Sequence, residues 1–315
     1  MSIRHFLAGA VAAVGALGLG LGAGMRLVPN ETAISPIARI FDSLAPWFLA
    51  GAVVAGLVLM ALSARKTGLV LLGAGILAVG QLWVDHRAVS APLTPDRRAD
   101  LRVLFFNMLG ENAAWADRIV TAILAENPDV VVIAEGEGLY PALARLRDAY
   151  VFVSPCGFEN CELVVATRRA PARFWTLSLN AAWGDRYAVA ELASQNGKQV
   201  FVAASQSVKP WLSGIAESEQ LRLAAQYDWL SGPVVAVGDF NAAPWGYSLY
   251  DVLRRSDMKA LRWPVATWPA AAGAFGVPID HVLVKGGARV VAVRPFGQDM
   301  GSNHRGLVAD IALPQ

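Results

Sequence analysis

The segment over residues 233–245 joins an apolar run to polar residues that could do chemistry. Its small and β-branched residues end in Gly238-Asp239-Phe240-Asn241, and this pattern predicts a buried strand that delivers a carboxylate and an amide into a loop. A buried charge is costly unless it is paired or bound to a metal, so the Asp239 carboxylate needs a partner. Because Gly-Asp and Asn-Ala-Ala-Pro also favour turns, the segment alone fits a turn as well as a reactive site.

Other polar residues stand where apolar runs end or begin. Asn107, Glu135 and Asp280 each follow such a run, and His304 precedes one. Strand ends at one edge of a layered sheet commonly form an active site, and oxygen ligands with few histidines suit Mg²⁺ or Mn²⁺ better than zinc. Taken singly, the first three could instead be a turn residue, a helix cap and the partner of an arginine. Together with the carboxylate and amide of the first segment, they favour a divalent-metal site.

An α/β domain is expected to position these residues. The sequence predicts helices and strands in alternation beyond residue 100: strands over residues 100–107, 129–135, 163–167, 187–192, 200–205, 279–284, 290–293 and 307–313, besides the one leading into Asp239, and helices over residues 114–126, 139–150 and 217–230. Mixed elements of this kind suit one α/β domain rather than two. We place that domain at residues 100–315, after a polar linker at residues 88–99.

Three long apolar runs precede the linker. No charged residue occurs over residues 6–25, 43–64 and 67–84, and the mean hydropathy of the chain is +0.42. Each run can cross, or nearly cross, about 30 Å of hydrocarbon as a helix, and its Gly and Ala content lets such helices approach closely. A cleaved signal peptide could explain only the first run, and a buried hairpin of soluble helices is the remaining alternative. The runs favour a membrane anchor of three transmembrane helices over residues 1–87.

Positive residues and cysteines bear on the orientation of this anchor. Arg65 and Lys66 lie in the loop between the second and third runs, on the same side as Arg4, and positive residues in short loops favour the cytoplasm. The basic residues after the third run favour the opposite orientation, although long domains cross a membrane regardless of charge. Cys156 and Cys161 flank a Gly-containing turn and could be unrelated thiols or a small disulfide, which persists in oxidising compartments. We expect the domain to face outward.

Several motifs follow one another in a set order over residues 100–315. They are Asn107, Glu135, Gly238-Asp239-Phe240-Asn241, Ile279-Asp280-His281 and Ser302-Asn303-His304. This order resembles the endonuclease/exonuclease/phosphatase superfamily, which includes pancreatic deoxyribonuclease, abasic-site endonucleases, sphingomyelinases and inositol polyphosphate phosphatases. Thr267-Trp268-Pro269 and the preceding membrane helices resemble a bacterial membrane subgroup. The resemblance implies a deoxyribonuclease-like four-layer α/β/β/α sandwich on a bacterial inner (plasma) membrane. With the outward orientation expected from the positive residues and the cysteines, the catalytic domain would be periplasmic or extracellular.

The resemblance also implies a metal and phosphate site. Glu135 would hold the divalent cation, Mg²⁺ or Mn²⁺, with Asn107 beside it as a further ligand or a substrate contact. Asp280, a catalytic candidate, or Asp299 would lie near. The cation would polarise a phosphoryl oxygen and neutralise the charge that develops during attack on phosphorus. Arg186 lies where the family often has an arginine that positions the phosphate, and a solvated surface arginine is the alternative.

The residues that would move protons depart from the family in two places. By resemblance, Asp239 would orient or deprotonate the attacking water and Asn241 would donate a hydrogen bond to the phosphate. His304 would contact the phosphate or act as the acid–base partner in a pair with residue 303. The family reads Ser-Asp-His where this chain has Asn303, and an Asn can fix the tautomer of a histidine but cannot stabilise its charged form. Gln206 stands where relatives have a phosphate-binding histidine, so it can donate a hydrogen bond but cannot relay a proton.

The other histidines fit structural positions. His281 follows Asp280 on a predicted strand, so its side chain is expected on the opposite face of the sheet. His5 and His86 flank predicted membrane helices, where we expect them at the membrane interface.

Charge bears on the substrate. Beyond residue 99 the chain carries nineteen Lys and Arg against twenty-one Asp and Glu, a balance of −2, and it has no basic run of the kind that binds duplex nucleic acid. No sequence signal indicates an oligomeric state. The leading hypothesis is a membrane-anchored phosphodiesterase that acts on a phospholipid head group, a nucleic acid or a small phosphate ester. The rival hypothesis is a non-catalytic module that binds or scaffolds at the membrane, with Gln206 and Asn303 as traces of lost chemistry.

Overall fold

The chain divides into two compact units. A computed structural model describes residues 3–30, 32–156, 161–194, 196–212 and 214–314. The first unit comprises Met1–Ala88, Pro210–Glu217 and Ala242–Tyr250, and the second comprises Val89–Lys209, Ser218–Asn241 and Asp251–Gln315. Two short segments beyond residue 200 are thus grouped with the N-terminal residues. The boundaries expected from the sequence, at residues 87/88 and 99/100, stay a prediction.

The helices of the first unit include the candidate membrane spans. They are α1 (Ile3–Leu19), α2 (Ser35–Ser43), α3 (Ala45–Ala61) and α4 (Arg65–Ala88), and α7 (Ile215–Trp229) and α8 (Tyr247–Ser256) begin in this unit. The helical stretch Ile3–Leu27 and α4 are each long and apolar enough to cross a membrane, and α2 with α3, bent by 71° at their junction, makes a third if the pair is one span. Two or three candidate spans therefore stand where the sequence predicts three.

The helix α2 carries a buried ion pair that contacts the start of α8. Arg39 and Asp42 are 3% and 2% exposed and lie 3.0 Å apart. The carboxylate of Asp42 also accepts the backbone N–H of Tyr247 at 2.9 Å, so it caps the N-terminus of α8, whose first N–H groups have no partner within the helix. The backbone carbonyl of Ser43 accepts the indole N–H of Trp245 at 3.0 Å. Residues 242–250 thus take several of their hydrogen-bond partners from α2.

The second unit contains two β-sheets that face each other. Its strands are β1 (Ser90–Ala91), β2 (Leu101–Asn107), β3 (Val130–Ala134), β4 (Phe152–Val153), β5 (Leu163–Thr167), β6 (Arg173–Leu177), β7 (Tyr187–Ala193), β8 (Gln199–Gln206), β9 (Val234–Asp239), β10 (Ala260–Leu261), β11 (Asp280–Lys285), β12 (Arg289–Phe296) and β13 (Gly306–Ala312). One sheet has the strand order β12-β13-β2-β3-β5-β4 and the other β11-β9-β8-β7-β6. The pair β1-β10 is separate.

Alternating side chains along the strands build the layers of this unit. Val103 and Phe105 of β2 join the core between the two sheets, whereas Leu104 and Phe106 pack on the opposite face with α5 (Ala116–Glu126) and α6 (Leu143–Ala149). On the outer face of the other sheet, the hydroxyl of Tyr227 in α7 lies 2.6 Å from Ser205 Oγ of β8. The result is the four-layer α/β/β/α sandwich expected from the sequence, with the mixed strands that bury both faces.

The topology gathers several strand ends at one edge of the sandwich. The strands β2 and β3 are parallel neighbours, as are β8 and β9, so each pair ends on the same side. The strands β13 and β11 run antiparallel to β2 and β9, so they begin where those strands end. The ends of β2 and β3 and the start of β13 therefore lie together at one edge of the first sheet, and the ends of β8 and β9 and the start of β11 lie together at one edge of the second.

The structure differs from the sequence expectation in its shorter elements. Strand β6 and helix α8 lie in segments for which the sequence predicts no element, and the predicted helix over residues 139–150 begins as a 3₁₀ helix, Gly136–Ala142, before α6. Strand β1 lies within the predicted linker and pairs with β10. Cys156 and Cys161 form a disulfide. The long strands that carry the predicted site residues agree with the sequence expectation to within two residues.

Asp100 ties both ends of the sandwich domain together. Its carboxylate accepts the backbone N–H of Leu313 at 2.8 Å, the side-chain amide of Asn196 at 2.7 Å and the ammonium of Lys198 at 3.2 Å. Burial alone would raise the pKa of the Asp100 carboxyl, but these donors stabilise its charged form and hold its pKa below the usual value.

We expect Asp100→Asn to lower the free energy of unfolding of the full chain by about 1–3 kcal/mol near neutral pH, because charge-assisted hydrogen bonds are lost. Since the folded-state pKa is depressed, this contribution is present above the unfolded value of about 3.9 and disappears as the pH falls through the folded-state pKa. Denaturant titrations of wild type and variant at several pH values measure the difference. Asp96→Asn, at an exposed position, serves as the control, and an effect that stays constant at acid pH would contradict the assignment.

We expect Asp42→Ala to loosen residues 242–250, because Arg39 would keep a buried unpaired charge, at a cost of about 3–5 kcal/mol, and Tyr247 would lose its cap. Hydrogen exchange of peptides covering these residues, in the full chain in detergent, measures the opening. Asp251→Ala removes an ion pair with exposed arginines on α8 and should change exchange little. Equal protection in wild type and Asp42→Ala would refute the capping role.

Candidate active site

Asp239 stands at the centre of the edge where the strands end. It is the last residue of β9 and 2% exposed. The backbone just before it packs closely against β8, because a Cβ atom on Gly238 would lie 2.1 Å from the Ser205 carbonyl oxygen. Its Oδ1 accepts the backbone N–H of Asn241 at 2.9 Å. Burial raises the pKa of Asp239 to about 7, with the neighbouring Asp280 carboxylate adding to the rise and His304 opposing it.

Asn107 bridges Asp239 and Glu135. Its Nδ2 lies 3.1 Å from Glu135 Oε1 and 3.1 Å from Asp239 Oδ2, and its Oδ1 accepts the backbone N–H of Leu109 at 3.1 Å. The Leu109 contact fixes which end of the amide faces the two carboxylates. In this position Asn107 acts as a donor between two acids. Its expected role as a metal ligand or substrate contact stays a prediction.

Glu135 follows β3 in a left-handed backbone conformation, with φ 52° and ψ 50°. A non-glycine residue in this region is strained, and such residues concentrate at functional sites. The half-buried carboxylate accepts hydrogen bonds from Asn107, from the backbone N–H of Gly110 at 3.3 Å and from the amide of Gln206 at 3.3 Å. All three donors are neutral, so they orient the carboxylate without neutralising its charge.

His304 is held by Asp280. The Nδ1 atom of His304 lies 3.0 Å from Oδ2 and 3.2 Å from Oδ1 of Asp280, and its Nε2 lies 4.0 Å from Asp239 Oδ2. Burial alone would lower the pKa of His304, but the Asp280 hydrogen bond and the carboxylates of Asp280, Asp239 and Glu135 raise it to about 9. The ring is therefore protonated at neutral pH, with one N–H toward each aspartate.

This pairing corrects the expectation that His304 acts with residue 303. Asn303 has an exposed side chain, and its backbone carbonyl accepts the N–H of Ala270 at 2.8 Å. The carboxylate that orients the histidine and stabilises its charge comes from β11 instead. The Asn at position 303 therefore does not deprive His304 of an acidic partner.

Gln206 and Asn241 complete the edge. Gln206 ends β8 opposite Asp239 and is 5% exposed, and its amide donates to Glu135. Its Oε1 is buried and has no hydrogen-bond partner among the described residues. Asn241, also left-handed at φ 50°, donates from Nδ2 to the carbonyl of Ser207 at 2.8 Å. Both amides keep further hydrogen-bonding capacity for a ligand.

Arg186 is paired with Glu162, an acid that belongs to none of the predicted motifs. Its Nη2 lies 2.9 Å from Glu162 Oε1, its guanidinium stacks over the ring of Trp183 at 5.1 Å, and its buried Nε has no partner among the described residues. The backbone carbonyl of Arg186 accepts the N–H of Gln206 at 2.9 Å. Arg186 thus neighbours the site through the backbone of β8 and is not a solvated surface residue.

Ser302 and Thr267 hold the loops of the site in position, and neither is among the predicted site residues. The hydroxyl of Ser302 donates to the Asn107 carbonyl at 2.7 Å and accepts the N–H of His304 at 3.0 Å. Thr267 is fully buried, and its Oγ1 accepts the N–H of Asp280 at 3.1 Å. Both residues occur inside motifs of the sequence, Ser302-Asn303-His304 and Thr267-Trp268-Pro269, and their place in these motifs could have predicted a role in the site.

The remaining candidates lie elsewhere. His281 is 3% exposed, and its ring lies 5.8 Å from that of Phe240, consistent with the opposite face of β11. Asp299 lies exposed in a turn, and it is not part of the acidic cluster formed by Asp239, Asp280 and His304. His5 is exposed on α1, and His86 is buried near the end of α4, 5.8 Å from the ring of Trp245. Their expected location at a membrane interface stays a prediction.

The oxygen atoms around Glu135 suit a hard divalent cation. The carboxylate has only neutral hydrogen-bond donors, and the buried Oε1 of Gln206, whose amide nitrogen contacts that carboxylate, lacks a partner. Carboxylate and amide oxygens are the ligands that Mg²⁺ and Mn²⁺ prefer. Ligand atoms of Asp239, Asp280 and His304 also lie within 4.8 Å of one another, but a cation bound there would have to displace the proton of His304, whose pKa is raised to about 9. The donor set therefore fits a cation better at Glu135.

We expect Asp280→Asn to lower the pKa of His304 by about 1–3 units, because the opposite charge that favours the imidazolium is removed. Since this pKa is raised in the folded protein, the stability it contributes is present below the unfolded value of about 6.5 and is lost as the pH rises through about 9. An NMR titration of the four histidine rings measures the pKa, with His304→Gln to assign the signal. An unchanged His304 titration would contradict the pairing.

Solved structures share this fold. An endonuclease/exonuclease/phosphatase from Beutenbergia cavernae is 21% identical, with a TM-score of 0.53 over 69% of this chain and 72% of that chain. Another, from Bacteroides vulgatus, is 15% identical, with a TM-score of 0.54 over 69% of this chain and 100% of that one. D. rerio TDP2 complexed with a single-strand DNA product is 16% identical, with a TM-score of 0.53 over 67% and 98%. At these identities the likeness shows the fold alone.

No curated protein matches this chain. The model of the endonuclease/exonuclease/phosphatase family matches residues 104–304, which is more than half of the chain. The matched range contains every residue of the edge, from Asn107 to His304. The chain therefore belongs to the endonuclease/exonuclease/phosphatase family.

Proposed function

We propose that this protein is a membrane-anchored, divalent-metal-dependent phosphoesterase, and specifically a phosphodiesterase that activates water. Members of its family are typically metal-dependent hydrolases of phosphoester bonds. One observation carries the proposal for this chain: Asn107 hydrogen-bonds both Glu135 and Asp239 at 3.1 Å while His304, held by Asp280, lies 4.0 Å from Asp239. A carboxylate whose hydrogen-bond donors are all neutral, a candidate base and a cationic donor thus meet at one edge.

Glu135 is the residue we assign to the cation. A bound Mg²⁺ or Mn²⁺ there would supply positive charge to a phosphoryl oxygen of the ester. Asn107 and Gln206 keep the carboxylate in place by donating hydrogen bonds to it. Asn107 at the same time separates this carboxylate from Asp239, so the two acids can take different tasks.

Asp239 and His304 are the residues we assign to proton handling. A carboxyl whose pKa is raised to about 7 is suited to orient a water molecule and accept its proton near neutral pH. His304, protonated and held by Asp280, would donate from Nε2 to the phosphate. Asn241 has a second hydrogen on Nδ2 besides the one given to Ser207, and that hydrogen is available to the substrate.

The rival hypothesis, a non-catalytic binding module, rests on Gln206 and Asn303. Asn303 no longer indicates lost chemistry, because Asp280 supplies the acidic partner of His304. Gln206 cannot relay a proton, but its amide contacts Glu135 and leaves one buried oxygen unpaired, an arrangement that supports ligand binding at the same place. The geometry therefore favours the enzyme.

The substrate classes we propose are a phospholipid head group, a nucleic acid and a small phosphate ester. A D. rerio TDP2 structure contains a single-strand DNA product, and this supports a nucleic acid only by the shared fold. The balance of −2 beyond residue 99 disfavours tight duplex binding.

We further propose that the catalytic domain lies on the outer side of a bacterial plasma membrane. Two or three helices are long and apolar enough to cross, and the basic residues Arg65 and Lys66 at the start of α4 favour a cytoplasmic position for that end of the helix. The disulfide between Cys156 and Cys161 supports an oxidising compartment for the second unit.

We expect the full chain, in detergent or nanodiscs, to hydrolyse a chromogenic phosphodiester with Mg²⁺ or Mn²⁺ and to lose this activity with EDTA. Asp239→Asn keeps the size of the side chain but removes the base, so turnover should fall by about 10²–10⁴-fold. Glu135→Gln should raise the metal concentration needed for half-maximal activity. Absence of turnover with either metal, from folded protein, would favour the binding module.

Asn303→Asp is the matched control, because it restores the family residue at an exposed position. With Asp280 as the partner of His304, this variant should change turnover only a few-fold. If it switched on activity in an otherwise inactive chain, the natural sequence would have lost its chemistry at position 303 and the assignment of Asp280 would be wrong.

A further inference from the structure

Three aromatic side chains are exposed on one short segment of the second unit. Trp263 is 75% exposed, Trp268 is 41% exposed and Phe275 is 86% exposed. All three lie within residues 262–277, which we call the aromatic loop. Its other exposed residues are also apolar: Pro269, Ala271 and Ala274. Exposed apolar side chains grouped in this way mark a surface that meets another molecule or a membrane.

The backbone holds the tip of the aromatic loop in a fixed shape. Trp268 and Val277 exchange two backbone hydrogen bonds of 3.0 and 2.6 Å, which close the loop around Phe275. The closure is tight, because a Cβ atom on Gly276 would lie 2.8 Å from the Trp268 carbonyl oxygen. The exposure of Phe275 therefore belongs to an ordered projection of the chain.

The aromatic loop is joined to the segment that carries His304. The N–H of Ala270 donates to the carbonyl of Asn303 at 2.8 Å, and the N–H of Arg305 donates to the carbonyl of Thr267 at 2.8 Å. These bonds lie directly before and after His304 in the sequence. A molecule held by the aromatic loop would therefore lie beside the candidate active site.

The one charged residue within the aromatic loop is Arg262, and Lys259, which lies just before the loop, pairs with Asp257 at 3.1 Å. No Asp or Glu occurs between Asp257 and Asp280, and the two charged residues in that stretch, Lys259 and Arg262, are basic. Aromatic residues accompanied by basic residues, without acidic ones, are typical of segments that lie at the head-group level of a bilayer.

We propose that the aromatic loop inserts into the surface of a phospholipid bilayer and brings a phospholipid phosphodiester to His304 and Asp239. This inference rests on the proposed function and selects the lipid among its three substrate classes. The same chain carries two or three candidate membrane spans, which would attach it to a bilayer. The acyl part of a lipid needs an apolar contact when its head group enters a polar site, and Trp263 and Phe275 provide one.

A nucleic acid fits the aromatic loop less well. Bases do stack on exposed aromatic rings, but single-strand binding also needs a basic groove that follows the phosphate backbone. Only two basic residues lie in the stretch, and the chain beyond residue 99 has a balance of −2. The short neutral side chains around Phe275 suit lipid better than phosphate.

Quenching by lipid tests the insertion directly. Phe275→Cys in the full chain is labelled with an environment-sensitive fluorophore, since the two native cysteines form a disulfide, and the protein is placed in nanodiscs with or without nitroxide-labelled phospholipid. The matched control is Trp229→Cys, at a residue 66% exposed on α7. We expect most of the emission to be lost at position 275 and little at position 229. Equal quenching at the two positions, or none at 275, overturns the proposal.

Activity supplies the second readout. We expect Trp263→Ser with Phe275→Ser to lower the ratio of phospholipid turnover in the nanodisc to turnover of the soluble chromogenic phosphodiester by about tenfold. An unchanged ratio overturns the lipid assignment, as does quenching of the label by a nitroxide-labelled oligonucleotide instead of lipid. Quenching by lipid without hydrolysis of either ester would leave the membrane contact established and would instead refute the phosphodiesterase function.

Discussion

The side-chain amide of Asn107 links carboxylates from the two sheets of the sandwich. Its Nδ2 donates to Glu135, which follows a strand of one sheet, and to Asp239, which ends a strand of the other. Acids brought together in a buried place repel each other and lose hydration, so a shared donor lowers the cost of the arrangement. The amide is itself held by the N–H of Leu109, and the backbone carbonyl of Asn107 by Ser302. The whole edge depends on this bridge.

The charges at this edge remain unbalanced after the bridge is made. Glu135, Asp239 and Asp280 bring three carboxylates, and His304 brings one positive charge. The burial that raises the pKa of Asp239 and the acids that raise the pKa of His304 allow protons to offset part of the excess. What remains is concentrated at Glu135, whose donors are neutral. A divalent cation at this carboxylate would bring the edge near neutrality, which is the physical reason for expecting one there.

The sequence pattern locates the strand ends correctly, but it does not predict which side chains at those ends pair with one another. Long apolar runs end in Asn107 and Asp239 whatever the topology, so the pattern alone locates them. The partner of His304 is different, because it depends on β11 running antiparallel to β9, with Asp280 opposite Asp239. The family motif Ser-Asp-His suggested residue 303, but the Asn303 side chain is exposed. Short elements such as β6, and ion pairs such as Arg186 with Glu162, leave no periodic signal and depend on tertiary contacts.

The sequence pattern also does not predict that residues 242–250 group with the N-terminal helices. The hydrogen bonds that join this segment to α2 connect residues about two hundred positions apart. This segment directly follows Asn241 in the chain. A fragment that begins at residue 100 would lack α2, which accepts the hydrogen bonds of the Tyr247 N–H and the Trp245 indole N–H. The predicted boundary at residue 100 therefore makes a poor place to divide the protein, and the full chain is the appropriate object for measuring both its stability and its chemistry.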